Sequence, residues 1–224
     1  MCIYSKSYLK SVCIILCASA GVGCAPRMAL EPVGDGELRY GASLGGPLVA
    51  ALGTTIPIPN ASVGGRYGVG ADLDIEGNAY LLPLAYSIVS MDVGLAWYPL
   101  QTPSATLSLE PRVLMFASVK SRVTERFRIY PAISTVLSIP LGGGRGYAGI
   151  DVSAIVSTPT YDPEPVRVIL SPMAGVRWDV GDRVTLTTEL KWAGVNVRTN
   201  ATVEYVNPFG VGALAPSIGI DFPW

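Results

Sequence analysis

Val184-Thr185-Leu186-Thr187-Thr188-Glu189-Leu190-Lys191-Trp192 puts Val184, Leu186, Leu190 and Trp192 on one side of an extended chain, and Thr185, Thr187, Glu189 and Lys191 on the other. Alternation with period two marks a β-strand with one apolar and one polar face. Asp72-Leu73-Asp74-Ile75-Glu76-Gly77-Asn78-Ala79-Tyr80 repeats the pattern, with Leu73, Ile75 and Ala79 opposite the polar residues. Weaker alternation extends in both directions and gives ten predicted strands, at 37–46, 60–69, 72–80, 88–98, 105–116, 126–139, 147–158, 166–179, 184–192 and 211–224. No window keeps apolar residues at helical spacing for three turns, and 25 Gly and 18 Pro recur too often for helix interiors. The expected class is all-β.

The links between these strands alternate in length. Short, turn-rich links fall near 68–71, 99–104, 140–146 and 180–183, and longer ones near 46–60, 81–88, 117–125, 158–165 and 193–210. Tight turns at one end and long loops at the other, with an even strand count, are the pattern of an antiparallel up-and-down transmembrane β-barrel. Ten strands are expected; eight or twelve are the neighbouring counts, because 46–60 and 195–207 each have room for more strand.

Polarity sets which face looks out. Val89, Met91, Val93, Leu95 and Trp97, then Ile150, Val152, Ala154 and Val156, then Leu214, Ile218, Ile220, Phe222 and Trp224 form faces free of charge. The opposite faces carry the charges, so an apolar exterior against lipid and a charged lumen is the expected arrangement; a Lys or Arg at the bilayer midplane would cost roughly 2–4 kcal/mol. The predicted lumen network comprises Arg39, Arg66, Asp72, Asp74, Glu76, Asp92, Glu110, Arg112, Asp151, Arg177, Glu189 and Lys191, with Glu37, Arg128, Arg167, Asp179 and Asp221 on the same side. Trp97, Trp178, Phe222 and Trp224 fall at the short-turn ends and Tyr80, Tyr86, Phe127 and Trp192 near the long-loop ends, as two interfacial aromatic girdles would.

Composition removes several functions. The chain is 50% hydrophobic and 15% charged, with 16 Lys+Arg against 17 Asp+Glu, so neither disorder nor nucleic-acid binding fits. It contains no His, which removes His-based acid–base catalysis and His-ligated metal. No enzymatic activity and no cofactor are expected. Asp72, Asp74 and Glu76 project to one side of a strand and could hold Ca2+, but pairing with Arg39, Arg66 or Arg112 is the simpler reading. Gly142-Gly143-Gly144-Arg145 lacks the helix and Lys-Ser/Thr of a phosphate loop and reads as a turn.

The first residues read as an address. Lys6 and Lys10 precede an apolar stretch from Val12 to Ala20, then Gly21-Val22-Gly23 and Cys24, the order of a secretory signal over 1–23. All four cysteines lie in the first 24 residues, and the sequence around Cys24 resembles the bacterial lipoprotein signal. That resemblance implies acylation of Cys24 and a membrane anchor. Residues 24–36, with Pro26, Pro32, Gly34, Asp35 and Gly36, then read as a tether, and 37–224 as the barrel.

The end of the chain, Ile218-Gly219-Ile220-Asp221-Phe222-Pro223-Trp224, resembles the last strand of bacterial outer-membrane barrels, which alternates and closes on an aromatic residue. The resemblance implies an outer-membrane location, contact with outer-membrane lipid, and recognition of Phe222 and Trp224 by the barrel-assembly machinery. Pro223 lacks an N–H and is expected to weaken the ladder locally. Three functional classes follow: a closed barrel with a structural or loop-mediated surface role, a narrow pore for small solutes or apolar molecules, and a soluble periplasmic ligand-binding barrel with the faces inverted. The loop at 193–210, with Arg198, Asn200, Glu204, Tyr205, Pro208 and Phe209, is the candidate for contact with a surface partner, whose identity the sequence leaves open.

Overall fold

The computed structural model describes residues 26, 29–51, 54–119, 127–156, 167–181, 183–198 and 204–223. In chain order the strands are β1 (Leu38–Gly45), β2 (Leu48–Ala51), β3 (Thr54–Pro57), β4 (Asn60–Gly68), β5 (Leu73–Tyr80), β6 (Ile88–Gln101), β7 (Thr106–Ser118), β8 (Phe127–Pro140), β9 (Gly144–Ala154), β10 (Val168–Asp179), β11 (Thr185–Ala193) and β12 (Ala213–Pro223). Ten of them close into one antiparallel barrel, each beside its neighbour in sequence, with β12 returning to β1. The seam runs in register from Arg39 opposite Pro223 to Gly45 opposite Ser217, so the ladder reaches Pro223.

The predicted strands match the ten barrel strands one for one. The largest difference is at β9, which starts at Gly144, so that Arg145 belongs to a strand and not to the turn. The link at 46–60 holds additional strand, as its length allowed, but β2 and β3 form a separate hairpin that does not enter the barrel. A short 3-10 helix, Leu82–Tyr86, fills the link between β5 and β6.

Alternation decides the inside and outside of the wall. Every charged residue within the ten barrel strands lies on the lumen side of its strand. The outward positions carry exposed Val63, Ile75, Met91, Val93, Leu95, Ile133, Leu137, Leu190 and Ile218, a continuous apolar belt. Water would penalise such a belt at roughly 25 cal/mol per Å2, and hydrocarbon would not. This distribution overturns the reading with inverted faces, because a soluble barrel needs the opposite polarity.

Within the stretch read as a tether, residues 29–33 lie inside the barrel. Ala29 and Leu30 are each 1% exposed and Val33 5%. The reversal before β1 uses Gly34 (φ +110°) and Gly36 (φ +74°), backbone conformations that a Cβ disfavours. The Glu37 N–H donates to the Gly34 carbonyl (3.1 Å), and Gly36 N–H to the Gly68 carbonyl (3.0 Å), which pins the turn to the end of β4. Gly68 has to be small as well, since a Cβ there would sit 1.8 Å from the Gly34 oxygen.

Candidate functional site: the lumen and its inserted segment

Residues 29–33 lie in the short-turn half of the lumen, bending at Leu30 and Glu31, and the wall meets both their side chains and their backbone. Leu30 packs among Val136, Tyr147 and Met173, and Ala29 against Ala96 and Tyr98. Ser138 Oγ donates to the Leu30 carbonyl (3.0 Å), and Arg66 Nη1 donates to the Glu31 carbonyl (3.1 Å). The Val33 N–H points between the two carboxylate oxygens of Asp74 (3.2 and 3.3 Å). Backbone groups with no ladder partner would be costly to bury, and these contacts offset that cost at the Leu30 and Glu31 carbonyls and the Val33 N–H. Further along, Pro26 lies close enough to the wall that a Cβ on Gly219 would meet its Cγ at 2.7 Å.

Glu31 is the electrostatic centre of this half. Its carboxylate accepts from Arg177 through one oxygen and from Arg145 (3.3 Å) through the other. Burial by itself pushes the Glu31 carboxyl up, but the charge and hydrogen bond of Arg177, with the charges of Arg145 and Arg39, outweigh it and hold the group below the ordinary carboxylate range. Arg66 adds a linked cluster: its Nη1 donates to Tyr98 Oη (2.7 Å), Tyr98 donates to Asp74 Oδ2 (2.9 Å), and Arg66 lies 3.6 Å from the same oxygen.

The other half of the lumen is tied together by the strands alone. Asp151 Oδ2 accepts from Lys191 Nζ (2.7 Å) and Arg112 Nη2 (3.2 Å), and Ser134 donates to its Oδ1. Lys191 also lies 3.7 Å from Glu189, which accepts from Tyr147 Oη (2.9 Å). Asp92 accepts from Tyr80 and from Asn78 (2.9 Å), and Glu110 accepts from Ser108 (3.0 Å). Back at the short-turn end, Thr185 donates to Asp221 (3.0 Å).

The structure brings most of the predicted lumen residues together: Arg66, Asp74, Glu76, Asp92, Glu110, Arg112, Asp151, Arg177, Glu189 and Lys191 are buried, and Arg39 is half-buried beside the inserted segment. Asp72 is the exception. It is exposed in the turn before β5, because the strand starts at Leu73. The carboxylate row is thereby broken, and among the described residues no group of three or more acids could hold a metal. Glu37 and Arg167 are exposed outside the strands, and Asp179 is exposed at the end of β10.

Trp97, Trp178 and Phe222 lie exposed on the outer wall, and Trp192 is half-buried, its indole N–H donating to the Val211 carbonyl (3.0 Å). Trp224 and Cys24 lie outside the described residues. Tyr80 does not join the outer girdle. It is buried in the lumen on Asp92, the side its parity with Asp74 and Glu76 dictates.

Sequence reasoning missed Glu31, Arg145, Tyr98 and Tyr147. Parity was the available signal for Tyr98, since Trp97 outside puts Tyr98 inside. Glu31, the first acid of the chain, had no periodic neighbours to place it.

At the opposite end the loops are laced to each other. Val206 N–H donates to the Leu48 carbonyl and Ala50 N–H to the Glu204 carbonyl, so β2 gains a second neighbour from the loop between β11 and β12, and Tyr205 is buried there. Within the same loop Phe209 is 78% exposed, resting one face on Trp192 (centroids 5.5 Å apart).

No protein-family model matches the chain, and no curated protein matches it by sequence. Among solved structures it is similar to the NanC porin, at 9% identity over 83% of this chain and 98% of that one, with a TM-score of 0.47. It is similar also to the COG4313 outer membrane channel from Pseudomonas putida F1 (11% identity, 88% and 99% covered, TM-score 0.48). A third is the outer membrane protease OmpT from Escherichia coli (12% identity, 84% and 95% covered, TM-score 0.43). A porin, a channel and a protease share this likeness, so it assigns none of their activities to the chain.

Proposed function

We propose that the protein is a small barrel of the bacterial outer membrane, closed at rest by its own N-terminal segment, that acts at the surface through its long loops and not by catalysis. The observation that carries this reading is the filled lumen: residues 29–33 occupy the short-turn half, and ion pairs centred on Asp151 cross-link the remainder. Ten strands enclose only slightly more than the eight whose interior side chains fill unaided, so one inserted segment is enough to shut the passage. The membrane reading is supported by the apolar belt and the confinement of charge to the lumen. The absence of His from the chain supports the non-enzymatic part.

Conductance of the refolded full chain in planar bilayers tests the proposal, with a heat-dependent shift in gel mobility as the check that the barrel has formed. A folded barrel without steady current is expected. Stable current steps from the unmodified chain would overturn the closed reading and favour the narrow pore.

Acylation of Cys24 belongs to the same proposal. A single residue, Ala25, separates it from Pro26, a reach of at most about 7 Å, so acyl chains in the bilayer and a fully seated segment draw on the same short stretch. Mass spectrometry of the purified protein would detect the lipid directly; an unmodified Cys24 would remove the anchor from the proposal.

A further inference from the structure

The short-turn half of the lumen recognises main chain as well as side chains, and that distinguishes it from a simple plug seat. Three wall groups, Ser138, Arg66 and Asp74, address consecutive backbone positions of the inserted segment. An apolar pocket of Val136, Tyr147 and Met173 takes the leucine. Arg145 and Arg177 then grip the next side chain by its carboxylate. Arg177 is 2% exposed, and among the described residues its Nη1 has no hydrogen-bond partner, so the clamp retains donor capacity that one carboxylate does not use. Nothing covalent fixes the segment there; it enters through the turn at Gly34–Gly36 and is held by contacts that another chain of the same chemistry could make.

We propose that this half of the lumen is a peptide-recognition site for a segment bearing a leucine followed by an acidic residue, occupied in cis by Leu30 and Glu31 and able to take such a segment in trans when its own is displaced. The inference rests on the closed-barrel reading and adds the class of ligand that opens it. The backbone-directed contacts favour a peptide over a small free carboxylate, which would use Arg145 and Arg177 but make none of the bonds that Ser138, Arg66 and Asp74 direct at main chain.

The test uses the full chain in lipid nanodiscs and a fluorescein-labelled, end-blocked peptide Ala-Leu-Glu-Pro-Val, followed by anisotropy. The unmodified chain is compared with Leu30→Ala/Glu31→Ala, which weakens the occupant and leaves the seat untouched; Glu31→Gln alone serves if the double variant shows no heat-dependent gel shift. Saturable binding is expected, about tenfold tighter to the variant than to the unmodified chain, and about tenfold weaker when the peptide carries Gln in place of Glu. Absence of saturable binding to the folded variant, or equal binding of the Glu and Gln peptides, would overturn the proposal. Displacement by succinate as effective as by unlabelled peptide would overturn it in favour of a small-carboxylate site. Amide exchange over 29–34 in the unmodified chain separates the two levels: fast exchange there sinks the closed-barrel reading itself, whereas protection without peptide binding sinks only the present inference.

Discussion

The two halves of the lumen solve the same problem with different materials. In the long-loop half, Asp151, Arg112, Lys191 and Glu189 come from the wall, so each charge is paired by the act of closing the barrel. In the short-turn half, Arg145 and Arg177 are paired by Glu31, a residue outside the wall. Buried charges are tolerated only with partners, and removal of one partner costs more than the pair contributes. The first half is therefore built in, while the second is conditional on a segment that can leave.

Substitutions sharpen the contrast. Asp151→Ala should have the largest effect, because Arg112 and Lys191 lose their shared acceptor at once; a loss on the order of 3 kcal/mol would show as a lower urea midpoint for the heat-shifted form. An unchanged midpoint would mean that water already solvates this cluster.

Arg177→Gln should act differently, because Glu31 is 31% exposed and keeps Arg145: global stability should change by no more than about 1 kcal/mol, while amide exchange at 29–34 speeds up more than tenfold. Equal effects of the two substitutions on both readouts would erase the distinction between the halves.

Acid should reach the second half through Glu31. Its folded pKa is lowered, so its contribution to seating is complete above the unfolded value near 4.5 and is lost as pH falls from there through the folded value. Protection of 29–34, corrected for intrinsic exchange, should hold down to about pH 5 and decline below it; Glu31→Gln should remove that dependence. The partial exposure of Glu31 makes this a smaller effect than the loss of Arg177.

Phe209→Ala should be smallest, costing about 0.5–1 kcal/mol for its ring contact on Trp192 and leaving exchange at 29–34 unchanged. Any change there would show that the loop end and the short-turn end communicate.

The barrel was legible in the sequence because each strand writes its two faces into alternate residues. Val184 to Trp192 and Asp72 to Tyr80 carry the signal so clearly that the inward positions of Glu189, Lys191, Asp74 and Glu76 follow from counting. Asp72 fails for the same reason: parity holds only where the strand exists, and β5 begins one residue later. The inserted segment has no such signature. Its backbone is satisfied by Ser138, Arg66 and Asp74 and not by a neighbouring strand, so nothing obliges its residues to alternate. Gly34 and Gly36 were visible, but two turn residues do not state which way the chain turns. The hairpin of β2 and β3 was hidden similarly, since Leu48-Val49-Ala50-Ala51 is apolar throughout.

The inserted segment also ties the two ends of the chain's history together. Its contacts to Ser138, Arg145 and Arg177 join residues 108, 114 and 146 positions apart in sequence. Closures over such separations are slow to form, because the entropy of the intervening chain is surrendered before any contact rewards it. The segment precedes β1, and β1 is sealed only when β12, the barrel strand farthest from it in sequence, pairs with it. A segment that precedes β1 in the chain is thus among the last parts to find its place, on two guanidiniums that β9 and β10 set directly opposite each other. Seating of this segment is in this sense a late step of folding, performed by the chain on itself.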